Sequence, residues 1–203
     1  MIPIGYMAKH VEAKPDWLKT NNVDDILSVC GCVSEDFGDW INYWKHNGYW
    51  FFDSPEVIVS LANEHGIDLS QVRWFYFEAH EKELDEESGE WRTFDPEESF
   101  VTSVVSPEDK DLKGYDIVTF SCGTSAECSP LSCNHVAEGM KVNRHCLLDS
   151  FEEAMSFMDS KSYLGGEPGP YRIFAVYEVP TPKQKLTEQG VGRQPATTPR
   201  VGD

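Results

Sequence analysis

The sequence predicts an α+β domain in which mainly antiparallel sheet is flanked by two main helices. Three observations lead there. Short runs rich in β-branched and aromatic residues recur between turn signals over the first 179 residues. Two stretches, 53–66 and 149–160, place apolar residues at helical spacing behind good capping residues instead. The order of these elements then repeats from the first half of the chain to the second.

Taken in order, the expected strands are 3–9, 25–33, 49–52, 72–84, 90–94, 99–105, 115–121, 145–148 and 171–179. A short helix capped by Asp39 is expected to end near Gly48. In DSPEVIVSLANEHG, Ser54 is the N-cap, Pro55 occupies the first helical position and Gly66 supplies the left-handed stop. Val57, Ile58, Leu61 and Ala62 form its apolar stripe. EKELDEESGEWRTF reads as a hairpin whose acidic tip ends at Ser88–Gly89. In DSFEEAMSFMDS, Ser150 and Glu153 have the spacing of a capping box, and Phe151, Ala154, Met155 and Met158 face the core.

Three landmarks recur in sequence order: Asp25-Ile26, Asp53-Ser54 and Arg73-x-Phe75 against Asp116-Ile117, Asp149-Ser150 and Arg172-x-Phe174. They suggest a duplicated ββαβ-type unit, with repeats near 1–94 and 95–179 forming one domain. The remainder, 180–203, holds four prolines and no aromatic residue, so it is expected to be a disordered tail. That tail has four basic and two acidic residues, so residues 1–179 bear a net charge of −20, against −18 for all 203 residues. Such acidity disfavours direct nucleic-acid binding, which needs clustered Lys and Arg, and suits a basic protein partner. The first residues lack a charged segment leading into an apolar run, and no stretch approaches a membrane span. The expectation is a cytoplasmic protein whose six cysteines are reduced.

Two regions draw chemical attention. The first is aromatic: seven of the thirteen residues from Trp40 to Phe52 are aromatic. Trp40, Tyr43, Trp44, Tyr49 and Trp50, beside Asp36 and Asp39, are the candidate binding residues for a basic partner, because Trp and Tyr anchor interfaces. The second is CGTSAECSPLSCNH, residues 122–135. Cys128 or Cys133 acting with His135 would form a nucleophile–base pair, provided that a cation or helix terminus lowers the thiol pKa. Cys122, Cys128, Cys133, His135, His145 and Cys146 are the candidate metal ligands. Their spacing contains no standard zinc knuckle, so zinc is considered but not favoured, and the cofactor is left unknown. The sequence therefore predicts an acidic binding module of the inhibitor, immunity or adaptor kind. The alternative is an enzyme using a cysteine, or a metal, in the 122–146 loop.

Overall fold

The computed structural model describes residues 1–41, 47–94, 103–119, 128–161 and 168–182. Its elements are β1 (Ile2–His10), β2 (Glu35–Asp36), α1 (Phe37–Trp40), α2 (Pro55–His65), β3 (Arg73–Leu84), β4 (Trp91–Thr93), β5 (Asp111–Thr119), α3 (Phe151–Ser160) and β6 (Tyr171–Val179). A single 3-10 turn spans Val136–Glu138. The strands form one antiparallel six-stranded sheet in the order β2-β1-β3-β6-β5, with β4 paired to β3. The α+β prediction stands.

Alternation along the strands gives the sheet two different faces. Trp74, Tyr76 and His80 point to the helices. Trp74 lines a hollow with Val59 and Ala62 of α2, and the His80 ring lies 5.1 Å from Phe151 of α3. Between the helices Tyr6, Tyr76 and Tyr177 form a ring row capped by Lys110, whose ammonium sits 4.3 Å over Tyr177 and 2.6 Å from Glu78. Phe75, Phe77 and Ala79, with Phe174 and Val176 opposite, form the other face. That face is covered by irregular chain: the Phe51 ring, for example, packs 5.2 Å from Phe77.

The irregular cover is where the sequence reading departs from the structure. Residues 25–33, expected as a strand, form no strand, although Ile26, Leu27, Val29 and Cys30 are buried as their apolar character demands. Side chains, not a neighbouring strand, satisfy part of this backbone. Lys9 takes the carbonyls of Ser28, Val29 and Cys30, and Asp116 takes the Val29 N–H. The expected strands 49–52 and 145–148 shrink to single bridges, Tyr6 to Phe52 and Tyr115 to Leu148. Residues 103–105 are not strand, while 99–102, 120–121 and the tail beyond 182 lie outside the described residues.

Both helices follow their local signals with small changes. Ser54 adopts the extended N-cap backbone without a capping hydrogen bond, and Gly66 closes α2 at φ 69°. Ser150 Oγ accepts the Glu153 N–H at 3.1 Å, while the Glu153 carboxylate accepts from Asp149, one residue ahead of the usual capping-box partner. The short first helix begins at Phe37, two residues before Asp39.

The two halves share geometry that the paired landmarks only partly anticipate. Gly5 lies opposite Phe77 and Gly114 opposite Val176, each at a register shift and each with φ 144°. No other residue fits there: a Cβ on Gly5 would come within 2.5 Å of Phe51 Cβ, and one on Gly114 within 2.6 Å of the Leu148 carbonyl. The chain pressing on each glycine is organised by an asparagine. Asn47 Oδ1 accepts the N–H groups of Tyr49 and Phe51, and its Nδ2 donates to the Ile4 carbonyl. Asn143 Oδ1 accepts from His145 and Leu147, and its Nδ2 donates to the Lys113 carbonyl. Trp50 and Cys146, three residues after each asparagine, both have positive φ, 68° and 61°. Asp25-Ile26, by contrast, is not the counterpart of Asp116-Ile117, since Asp116 is in β5 and Asp25 is in the loop cover.

Candidate functional site

Four cysteines meet on the loop-covered face. Cys30 and Cys32 come from the segment after Leu27, and Cys128 and Cys133 from the segment after β5. The sulfur atoms of Cys30 and Cys133 are 3.6 Å apart, and those of Cys32 and Cys128 are also 3.6 Å apart. Cys30, Cys32 and Cys133 all lie within 4.8 Å of one another and, among the described residues, are the group of metal-capable side chains that the fold assembles. Cys30 is buried, Cys128 and Cys133 are half-buried and Cys32 is exposed, so the cluster reaches from core to surface.

Two buried charged residues hold the supporting loops. Lys9 of β1 is 1% exposed, and its ammonium donates to the carbonyls of Ser28 (2.7 Å), Val29 (3.2 Å) and Cys30 (2.8 Å). Those three bonds use all three donors of the ammonium. Asp116 of β5 is fully buried and spans both loops. Its Oδ2 accepts from Ser28 Oγ (2.8 Å) and Val29 N (2.9 Å), and its Oδ1 from Ser129 Oγ (2.6 Å) and Ile117 N (2.9 Å). Burial raises the pKa of Asp116, and these four donors pull against that rise. The second loop is anchored further where Thr119 N–H meets the Cys128 carbonyl and Cys133 N–H meets the Ser129 carbonyl, both at 2.8 Å. Asp36 and Asp39 lie beside Gly31, between the first two cysteines. Burial raises the Asp36 pKa, and the nearby Lys9 charge opposes it.

Packing thiol against thiol suppresses ionisation. Contact with Cys133, together with burial, pushes Cys30 up to about 11. Burial pushes Cys128 up to about 11. For Cys32, contact with Cys133 acts downward, but Cys30, burial and Cys128 outweigh it and push the thiol up to about 12. Cys133 is raised as well: its contact with Cys30 acts downward, and Cys32 and burial prevail. A nucleophilic cysteine requires the opposite displacement.

The other sequence-selected residues are distributed as follows. His135, proposed as a base, is half-exposed, with Nδ1 3.1 Å from Glu138 and its ring 4.8 Å from Trp17. His145 pairs with Asp25 at 2.5 Å, and Cys146 is buried in an apolar cluster that includes Ile117, Leu148 and Ile173. Neither joins the sulfur group. Trp40 is half-buried against His10 (4.5 Å) and Phe37, and Tyr49 packs on Phe94. Trp50 is half-buried. Tyr43, Trp44 and Cys122 lie outside the described residues.

Sequence reasoning missed Cys30 and Cys32 by assigning them to a strand. The available signal was CGC itself, two sulfur-bearing residues at the shortest chelating separation. Comparison with protein-family models, curated proteins and solved structures finds no match for this chain. No helix among the described residues is long and apolar enough to cross a membrane.

Proposed function

We propose that the protein is an acidic binding module that receives a basic segment of a protein partner. The observation that carries this reading is the net charge of −18 over 203 residues. Two places on the surface set carboxylates beside apolar rings. At one, Glu35, Asp36 and Asp39 lie near Trp40 at the start of α1. The other is a pocket of about 420 Å³ at the start of α2, lined by Tyr6, Asp53, Glu56, Val105 and Asp109 among others. Its Asp53 carboxylate is held in place, accepting from Asn47 Nδ2 at 2.9 Å and from Ser103 N at 3.1 Å. Carboxylates fixed beside a tyrosine ring suit a guanidinium, which combines charge pairing with stacking.

An arginine-rich peptide titrated into the full chain tests this reading. Binding should weaken with salt, and Glu56→Lys with Asp109→Lys should weaken it more than the charge-matched pair Glu87→Lys with Glu90→Lys at the hairpin tip. Equal weakening by both pairs would reduce the interaction to bulk charge and end the proposal of a site. The proposal extends to origin: the matched glycine registers and asparagine corners support descent of the two halves from one duplicated unit.

A further inference from the structure

We infer that Cys30, Cys32, Cys128 and Cys133 are the ligands of a zinc ion that staples the two halves of the protein together. In a tetrahedral zinc site with Zn–S bonds of about 2.3 Å, the edges between sulfur atoms are about 3.8 Å. The two separations in the structure, 3.6 Å for Cys30–Cys133 and 3.6 Å for Cys32–Cys128, fall within a few tenths of an ångström of that edge. A third sulfur, that of Cys32, lies within 4.8 Å of both Cys30 and Cys133. Cys128, whose sulfur contacts that of Cys32, stands outside this mutual group of three and draws in on binding to complete a four-sulfur donor set from positions about a hundred residues apart.

The surroundings are those of a ligand shell. Asp116 binds Ser28 and Val29 in the first loop and Ser129 in the second, which fixes the separation of the two cysteine pairs from behind. Lys9 explains itself in the same way. A buried ammonium whose donors are all spent on carbonyls of residues 28–30 brings a positive charge to the loop that presents Cys30 and Cys32. Four thiolates around a divalent cation leave a net charge of minus two, and a fixed cation at the ligand loop reduces the cost of burying it. Binding is balanced without any redox step: each thiol releases its proton to solvent, each sulfur donates a lone pair, and zinc remains divalent.

Because all four donors come from the protein, zinc retains no open position, and its role is to fix structure. The site joins residues 30–32 to 128–133, so it cross-links two of the loops that cover one face of the sheet. The exposure of Cys32 leaves an entry path for the ion and for a competing chelator.

The test uses the full chain, reduced and freed of metal with a strong chelator, then titrated with cobalt(II) as a spectroscopic stand-in for zinc. The expected result is one ion per chain, with the intense visible bands of tetrahedral cobalt and the sulfur-to-metal absorption of thiolate ligation. Cys32→Ser and Cys128→Ser should abolish those bands, and Cys146→Ser, a buried thiol outside the cluster, should leave them unchanged. Zinc should displace the cobalt and raise the melting temperature of the wild-type chain, a readout that remains if a variant fails to fold without metal. Reduced wild-type chain that shows no tetrahedral cobalt bands would overturn the inference. So would bands that survive Cys32→Ser and Cys128→Ser, or a freshly purified chain in which Cys30–Cys133 and Cys32–Cys128 are disulfides.

Discussion

The corners at Asn47 and Asn143 and the loops that carry the cysteines belong to the same face of the sheet, yet the two halves treat them differently. Each corner presses on a glycine at φ 144°, and each is organised by one asparagine whose Oδ1 accepts two N–H groups while its Nδ2 holds the adjacent strand. The cysteine loops show no such likeness. Residues 28–32 are tied down by a lysine from β1, whereas 128–133 close on themselves and on Thr119. Geometry that appears twice answers a requirement of the sheet, because each strand pair must receive a returning chain against its bulge. Geometry that appears once, and brings unlike loops to a common point, answers something else.

Substitutions at matched positions can break or sharpen this contrast. The largest effect is expected at the glycines. Gly5→Ala and Gly114→Ala each combine a strained backbone with a Cβ inside contact distance, and each should cost about 4 kcal/mol in denaturant unfolding. A large cost at one glycine and a small cost at the other would show that the corners are alike only in outline.

Next come the paired arginines, which occupy matching positions in β3 and β6. Arg172 is nearly buried, with Nε 2.7 Å from Glu83 and its guanidinium 3.5 Å over the Phe94 ring, and burial lowers its pKa to about 10. Arg172→Met should cost about 3 kcal/mol, because the Glu83 carboxylate loses a buried partner. Arg92, 2.6 Å from the other Glu83 oxygen, limits the loss. Asn143→Ala should cost about 2 kcal/mol through three lost hydrogen bonds, and Asn47→Ala, which loses the three matching bonds and a fourth to Asp53, should cost at least as much if the corners are equivalent. Both follow from chemical denaturation midpoints.

The smallest effect is expected at the more exposed arginine pair. Arg73 binds Glu178 through Nε at 2.7 Å, and Lys113 binds Glu178 at 2.9 Å. The hydrogen bond from Arg73, with help from Lys113, holds the Glu178 carboxyl down at about 2, against an ordinary 4.5. A depressed folded-state pKa stabilises the protein above the unfolded value, and that contribution disappears as pH falls from 4.5 towards 2. Glu178→Gln should cost about 1 kcal/mol at neutral pH, allowing for solvent screening of a partly exposed pair. The difference from wild type should shrink across that acidic window, and a difference independent of pH would show that the carboxylate charge contributes nothing.

Much of the fold was legible because its signals are short-range. Pro55 and Gly66 bound α2, Ser150 caps α3, Gly89 at φ 70° turns the β3–β4 hairpin, and β6 runs over Tyr171–Val179 as its β-branched and aromatic content implied. The misread segment, 25–33, has the composition of a strand, and its apolar residues are buried as in one. It is not a strand because Lys9 and Asp116, distant in sequence, take backbone groups that a neighbouring strand would otherwise satisfy. The candidate site was half legible for the same reason. Cys128 and Cys133 stood out within one loop, but their partners Cys30 and Cys32 sat inside a run that read as buried strand.

By itself the sequence determined the class of fold, the two helices, the acidic charge and the supply of cysteines. Each of these depends on composition or on interactions spanning a few residues. Tertiary structure alone decided that sulfurs about a hundred positions apart share one site. That pairing depends on the antiparallel order β1-β3-β6-β5, which sets Lys9 and Asp116 on one face of the sheet. From there two buried charges, each needing hydrogen-bond partners in a dry interior, draw both loops to the same place.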